Sequence, residues 1–305
     1  MSEPTSWQTL SPSAKLLAVP FWLLRWLPMP LLRLLGGALG FLLYWLMPGR
    51  RKIGLTNLRL CFPAWPESRR RATLRTHYRV FCSCILVYGK LWFGPEKLVR
   101  QLVRREGYAH YLAVKDRPVI LLAPHFLGLD YGGILHTADH WGASVYTSTH
   151  ENPFDQLLHL GRSRFGAPLL IRRTDGIRPI VKALKQGAPL YYLPDQDLGR
   201  KESIFVPFFG IQTATVPALA RLAQLGKAVV VPMVTTLEGN HFVTRYYPAW
   251  DDFPSDDVEA DTLRMNAFIE ERVRDVPAQY FWLHRRFKTR PLGEADLYGR
   301  KGPQD

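Results

Sequence analysis

The sequence predicts an α/β protein with a mostly parallel central sheet flanked by helices, preceded by an apolar helical membrane segment. Three observations predict it. From Arg117 onward, short runs rich in branched and aromatic residues alternate with amphipathic stretches that end in glycine. The region just before them has helical spacing, with basic residues opposite apolar ones. The N-terminal region is apolar almost without interruption.

Taken in order, Leu16 to Met47 carries charge only at Arg25 and Arg33. Its longest uncharged run, Leu34 to Gly49, is 16 residues, slightly short of the ~20 that an upright spanning helix needs. Spanning with Arg33 snorkelling and lying along the interface both fit. A cleavable signal fits poorly, because no short basic region precedes the apolar stretch and no small-x-small site follows it. The flank "GRRK" (49–52) is expected on the cytoplasmic side by the positive-inside rule. "GGALG" (36–40) spaces Gly36 and Gly40 for close helix packing in a membrane and lacks the spacing of a dinucleotide fingerprint. Residues 1–52 are therefore expected to form a membrane-anchoring segment, the alternative being a helical hairpin buried in a soluble core.

Residues 53–305 are expected to form one domain, with 53–112 a helical lead-in and 113–305 the α/β core. Strands are predicted at "PVILLAP" (118–124), "SVYTST" (144–149), "PLYYLPD" (189–195) and "AVVVPMV" (228–234). Helices are predicted at "GIRPIVKALKQG" (176–187) and "TVPALARLAQLG" (215–226), each closed by a glycine suited to a C-cap. A late helix begins near "PSDDVEADTLRMNAFIEERV", with Ser255 or Asp256 as its cap. The 305 residues, 47% apolar, suffice for one large domain. The net charge of +14, from 40 Lys and Arg against 26 acids, predicts an anionic partner. Cys61, Cys82 and Cys84 form no CxxC pair and suit a reducing compartment.

In an open parallel sheet the ligand crevice lies beyond the carboxyl ends of the strands. His125 and Asp195 each stand just past such an end. In "LLAPHFLGLDYGG" (121–133) Asp130 follows His125 by five residues, so a carboxylate one turn into the next segment could hold one imidazole nitrogen and leave the other to take a proton. The opposing reading is a satisfied core histidine. No G-x-S-x-G nucleophile elbow is present, and "GRSRFG" (161–166) has phenylalanine where the second glycine belongs. A histidine–carboxylate pair without a protein nucleophile suggests a base that activates a hydroxyl of the substrate, as in acyl transfer to an alcohol by single displacement.

Arg162, Arg164, Arg172, Arg173 and Arg178 lie within "GRSRFGAPLLIRRTDGIR" (161–178) against one acid, Asp175. Arginine forks suit phosphates, and a solvated basic face is the plainer explanation. "HRRFKTR" (284–290) shares that ambiguity. In "PDQDLGRK" (194–201), Asp195 and Asp197 could bind a metal, orient an arginine or cap a turn, of which capping is commonest. His136 and His140 stand at i, i+4 without HExxH or a third ligand, so no metal and no cofactor is expected.

These blocks together resemble the late acyltransferases of bacterial lipid A biosynthesis, the lauroyl/myristoyl transferase family, over nearly the whole chain. The resemblance rests on "NLRLCFP" (57–63), "HFLGLD" (125–130), "GRSRFG" (161–166), "GIRPIVKALKQG" (176–187), "YYLPDQDLGRKESIFVPFFG" (191–210) and "QYFWLHRRFKTRP" (279–291). The H-x4-D/E spacing is shared with glycerolipid acyltransferases, whereas the Asp195 and C-terminal blocks are far more specific. The phospholipid branch has asparagine before the histidine and an FPEGTR-like block; here Pro124 precedes His125 and that block is missing.

The resemblance implies transfer of an acyl chain from acyl carrier protein to a hydroxyl on an acyl chain of the Kdo-lipid A precursor, at the cytoplasmic face of the bacterial inner membrane. It implies His125 as the base and Asp130 as its orienting acid. Arg162 matches the family's arginine after the catalytic motif, and Asp195 the aspartate of its "PD" pair. Substrate binding is expected of Arg162, Arg164, Arg172, Arg173 and Asp195, and no nucleic-acid partner is expected. The middle blocks resemble myristoyl-type members and "WLHRRFKTRP" lauroyl-type ones. The rival readings are acylation of another membrane lipid, such as a lysophospholipid or a glycosylated phosphoinositide, and a non-enzymatic basic protein that binds anionic membrane or nucleic acid.

Overall fold

The computed structural model describes residues 7–146, 152–166 and 168–299. Four helices open the chain: α1 (Pro12–Leu24), α2 (Met29–Leu46), α3 (Pro48–Cys61) and α4 (Glu67–Phe93). Proline starts them in common: Pro12, Pro30 and Pro48 sit in first turns, where the missing N–H costs nothing. Ser11 caps α1 by accepting from the Ala14 N–H at 3.2 Å. Residue 52, the boundary expected from composition, falls inside α3.

The helix α2 lies along α4, and Gly36 and Gly40 make that approach possible. A Cβ on Gly40 would stand 2.4 Å from the Tyr78 carbonyl oxygen, and one on Gly36 2.5 Å from the Ser83 Cα. Leu32 and Tyr44 bury themselves on the same side. The opposite side leaves Leu34, Phe41, Trp45 and Leu46 exposed; α1 does the same with Leu16 and Trp22, and Trp26 just past its end is exposed too. The C-terminal half of α4 is apolar and buried. Its Trp92 and Tyr88 continue into a stacked column with Tyr131 and Phe242, at centroid spacings of 4.7, 5.7 and 3.5 Å.

The chain then runs α5 (Glu96–Leu102), β1 (Val103–Glu106), α6 (Tyr108–Leu112), β2 (Val119–Leu122), α7 (Leu129–Asp139), β3 (Ala143–Tyr146), α8 (Pro153–Arg162), β4 (Leu169–Arg172), α9 (Ile177–Lys185) and β5 (Leu190–Tyr192). A two-stranded hairpin, β6 (Ile204–Phe208) and β7 (Ile211–Thr215), precedes α10 (Ala218–Gly226), β8 (Val229–Glu238), β9 (His241–Tyr246) and α11 (Val258–Asp275). The main sheet has the order β1-β9-β8-β2-β5-β3-β4, parallel throughout except between β8 and β9. The predicted class is therefore correct.

Central β2 explains why a continuous apolar run was needed: both faces of it are covered. Ile120 and Leu122 join the core formed with Ile180, Leu184, Leu222 and Ile269 from α9, α10 and α11. Val119 and Leu121 join Tyr111, Val231 and Tyr246 on the other face. The strands predicted at 118–124, 189–195 and 228–234 correspond to β2, β5 and β8, and the start of 144–149 to β3, its last three residues lying outside the described chain. The helices predicted at 176–187 and 215–226 correspond to α9 and α10. Two expectations need correction. The region 53–112 contains β1, paired in parallel with β9. Asp257 caps α11, accepting from the Glu259 and Ala260 N–H groups at 2.9 and 3.0 Å. Ser255 is committed elsewhere, because its N–H and hydroxyl both donate to Asp261.

Candidate active site

The registers of β2 and β5 build the centre of the site. Leu122 lies beside Tyr192, so residues three further along each chain emerge together. Those residues are His125 and Asp195. The His125 Nδ1 donates to Asp195 Oδ1 at 2.7 Å, and the His125 backbone N–H donates to the same carboxylate, 2.9 Å from Oδ2 and 3.2 Å from Oδ1. Asp195 is fully buried, which alone would raise its carboxyl. The charge and hydrogen bonds of His125, with Arg286 behind, outweigh burial and hold it below the usual carboxylate range. In the neutral form of the ring, a proton on Nδ1 leaves the lone pair on Nε2, and the Gln196 amide nitrogen stands 3.0 Å from that atom.

Segments remote in sequence hold this arrangement from behind. The loop after β2 is clipped to the chain's end, the Phe281 N–H donating to the His125 carbonyl and the Leu127 N–H to the Gln279 carbonyl, both at 2.9 Å. The Gln279 side chain pairs with both backbone groups of Leu237 in β8. Asn57 of α3, fully buried, donates to the carbonyls of Trp282 and His284 at 2.8 Å each. Asp197 caps the turn by accepting from the Gly199 N–H and also accepts from the N–H and hydroxyl of Thr289. His284 accepts from the Asp197 N–H at 3.1 Å. Burial, with Arg286 and His125 nearby, lowers the His284 imidazole to about 4, so it stays neutral at ordinary pH.

Asp130 is not the partner of His125. It lies in the first turn of α7 and turns its carboxylate toward α4 and α8, where Oδ2 accepts from the Tyr88 hydroxyl at 2.6 Å and Oδ1 from Arg162 Nε at 2.8 Å. Burial, then the adjacent Asp130, pushes the Tyr88 phenol far up, so it remains a donor. The carboxylate on His125 is thus Asp195 rather than the expected Asp130, which contacts Tyr88 and Arg162 instead. Sheet order decides this: β5 is the strand beside β2, whereas Asp130 follows a loop that carries it onto a helix.

The basic cluster divides. Arg162 is one-third exposed and, with Asp130, lines a small apolar crevice of about 60 Å³ between α7 and β3, β4 and β5, partly open to solvent. Leu129, Ile134, Val145, Leu170 and Leu193 supply much of its wall. Arg164 is spent on the end of α4, donating to the carbonyls of Leu91, at 2.8 Å, and Gly94. Arg173 pairs with Glu202, exposed Arg172 reaches the Tyr146 hydroxyl at 3.3 Å, and Arg178 is exposed. In the "HRRFKTR" block, Arg286 and Arg290 are buried and donate to the carbonyls of Ala214 and Gln212 in the hairpin. His136 and His140 face tyrosines, at 3.3 Å from the Tyr246 hydroxyl and 2.5 Å from that of Tyr108.

Sequence reading passed over Gln196, Tyr88, Asn57 and Gln279. The equal three-residue offset of His125 and Asp195 past their strands was the available signal for their pairing.

A histidine on a buried carboxylate thus stands at the carboxyl edge of a parallel sheet, an arrangement compatible with an α/β acyltransferase. Residues 4–289 match the family model described as bacterial lipid A biosynthesis acyltransferase. The chain is 34% identical over 282 residues to the lipid A biosynthesis lauroyltransferase of Escherichia coli K12, covering 91% of this chain and 92% of that protein. It is 31% identical to the palmitoleoyltransferase of the same strain, covering 91% of each, and 34% identical over 257 residues to its myristoyltransferase, covering 82% and 79%. The 1-acyl-sn-glycerophosphate acyltransferase of Thermotoga maritima superposes with a TM-score of 0.36 at 15% identity, covering 76% of this chain and 98% of that one, too distant to bear on the site. The chain belongs to the bacterial lipid A biosynthesis acyltransferases.

Proposed function

We propose that the protein transfers a fatty acyl chain from acyl carrier protein to a hydroxyl of a hydroxyacyl chain on the Kdo-lipid A precursor, with His125 as general base and no covalent enzyme intermediate. The observation that carries this reading is the His125 imidazole, held through Nδ1 by a buried carboxylate, with Nε2 bound to no group other than the Gln196 amide among the described residues. Asp195 fixes the tautomer and stabilises the imidazolium that forms. Nε2 takes the proton of the acceptor hydroxyl as its oxygen attacks the thioester carbonyl. The carbon–sulfur bond breaks, the imidazolium returns the proton to the leaving thiolate, and the new ester leaves with the lipid. The chain has no nucleophile elbow, which agrees with direct attack by the substrate's own oxygen.

The small crevice beside Asp130 and Arg162 has an apolar wall suited to contact with part of an acyl chain, and Arg162 on its lining suits an anionic part of either substrate. Arg172, Arg173 and Arg178 form an outer basic rim suited to an acidic carrier protein or lipid phosphates. Met29–Leu46 is long and apolar enough to cross a membrane, and 22% of it is buried. Its glycine face is occupied by α4, so it attaches the protein to the inner membrane through the opposite face, with the α/β core in the cytoplasm. Arg25 lies 4.5 Å from the rings of both Trp22 and Trp26, a pairing suited to the headgroup level.

The test is direct. Purified protein is incubated with acyl carrier protein loaded with defined chains and with the lipid A precursor, a lysophospholipid or a glycosylated phosphoinositide, and products are weighed by mass spectrometry. Acylated lipid A precursor in the parent and nearly none in His125→Ala is expected. Near-normal turnover in that variant refutes the base; product only from another lipid refutes the acceptor.

A further inference from the structure

Gln196 occupies the one nitrogen that the reaction needs. It sits between two buried aspartates that fix its backbone, Asp195 by three contacts to His125 and Asp197 by contacts to Gly199, Thr289 and His284. Its side chain is half-buried and reaches back over the imidazole. Because Nδ1 is committed as a donor to Asp195, Nε2 of the neutral ring can only accept, so the Gln196 amide N–H is the donor across the 3.0 Å gap. The imidazole is therefore held at both nitrogens before any substrate arrives.

We infer that Gln196 is a gate on the base: it covers His125 Nε2 against water and gives way to the acceptor hydroxyl. The inference rests on His125 being the general base. Without the amide, a water at Nε2 would lose a proton to the ring and attack the donor thioester. A carbon–oxygen bond would form, the carbon–sulfur bond would break, and a free fatty acid and the carrier's thiol would leave, the thiolate taking its proton from the imidazolium. An alcohol from the lipid differs from water in arriving on a large apolar substrate whose binding can hold it there while it replaces the amide. The exchange of one N–H donor for one O–H donor leaves Nε2 satisfied throughout, so the gate opens at little cost once the acceptor is bound.

The test measures hydrolysis against transfer in the full-length protein in detergent micelles. Dodecanoyl-loaded acyl carrier protein is followed with and without lipid A precursor, for the parent, Gln196→Ala and Gln196→Asn, the last keeping an amide one methylene too short to reach. Thermal unfolding establishes that each variant is folded. The ratio of acceptor-free hydrolysis to transfer rises about tenfold in both variants, the scale of one hydrogen bond exchanged. The double variant His125→Ala, Gln196→Ala loses the added hydrolysis. A ratio within about twofold of the parent in both single variants overturns the gate while leaving the base in place. Added hydrolysis that survives in the double variant overturns the base itself.

Discussion

Replacing Asp195 by Asn tests the site where its geometry is most specific. In the parent the carboxylate accepts from both the backbone N–H and the Nδ1–H of His125. An asparagine side chain has one oxygen, and the buried backbone N–H needs it, since leaving that group unmet costs about 1–3 kcal/mol. The amide NH2 must then face Nδ1. A donor there forces Nδ1 to accept, moves the ring proton to Nε2, and removes the lone pair that would take the hydroxyl proton. The same substitution in a serine-protease triad lowers kcat by about 10⁴ through the wrong tautomer. We expect a loss of about 10³–10⁴ here, or roughly 4–5.5 kcal/mol of barrier, with KM for the lipid little changed. Initial transfer rates measure it, and the ¹⁵N shifts of the His125 ring report the tautomer independently. Asp130→Asn, whose contacts are Tyr88 and Arg162, should leave those shifts unchanged. An Asp195→Asn rate within about tenfold of the parent, or a tautomer change in Asp130→Asn alone, refutes the assignment of Asp195 as the orienting acid.

Three further outcomes follow from other parts of the molecule. Gly40→Ala should lower the unfolding midpoint, as its Cβ meets the Tyr78 carbonyl at 2.4 Å and overpacking costs about 1–3 kcal/mol, whereas Gly37→Ala, with nothing within 4 Å, should gain up to about 1 kcal/mol; equal midpoints contradict the α2–α4 contact. Arg162→Lys should lose at least about tenfold in kcat/KM for the lipid, because one ammonium cannot serve both Asp130 and a substrate anion, whereas exposed Arg172→Lys should stay within about threefold. Buried His77 and His284 are both lowered to about 4, so the unfolded chain takes up protons first as pH falls below about 6.5; stability present above that value should decline between about 6.5 and 4, at roughly 1.4 kcal/mol per unit of lowering, and His77→Phe should flatten the thermal-unfolding profile across that window.

The layered fold was legible because its central strands are buried on both faces and read as unbroken apolar runs, and because Gly187 closes α9 in the left-handed conformation, although at α10 that conformation falls to Lys227 and Gly226 remains helical. β1 was not: "VRRE" has a single buried residue and pairs with β9, some 140 positions away, so nothing local marks it. His125 was legible from its place past a strand, but its partner was not, since the nearest acid in sequence is Asp130 and the nearest in space is set by which strand lies beside β2. Arg162 and Arg164 stand two residues apart in one basic run. One lines the crevice and the other closes a helix end, a division that depends on where α4 stops. The C-terminal arginines looked like a surface cluster because sequence does not reveal that the β6–β7 hairpin folds over them.

The clamp behind His125 also sets an order of events in the life of the chain. Asn57 reaches across 225 and 227 positions to the carbonyls of Trp282 and His284, and Asp197 across 92 to Thr289. During synthesis the base and its carboxylate are made long before the residues that brace them. Closing loops of that length is an entropic step that needs residues 282–289 to be in place. A ribosome-bound chain halted before residue 280 holds the whole sheet, His125 and Asp195, yet lacks their backing. The arrangement around His125 is thus completed only once residues 282–289 have been made and have folded back onto it.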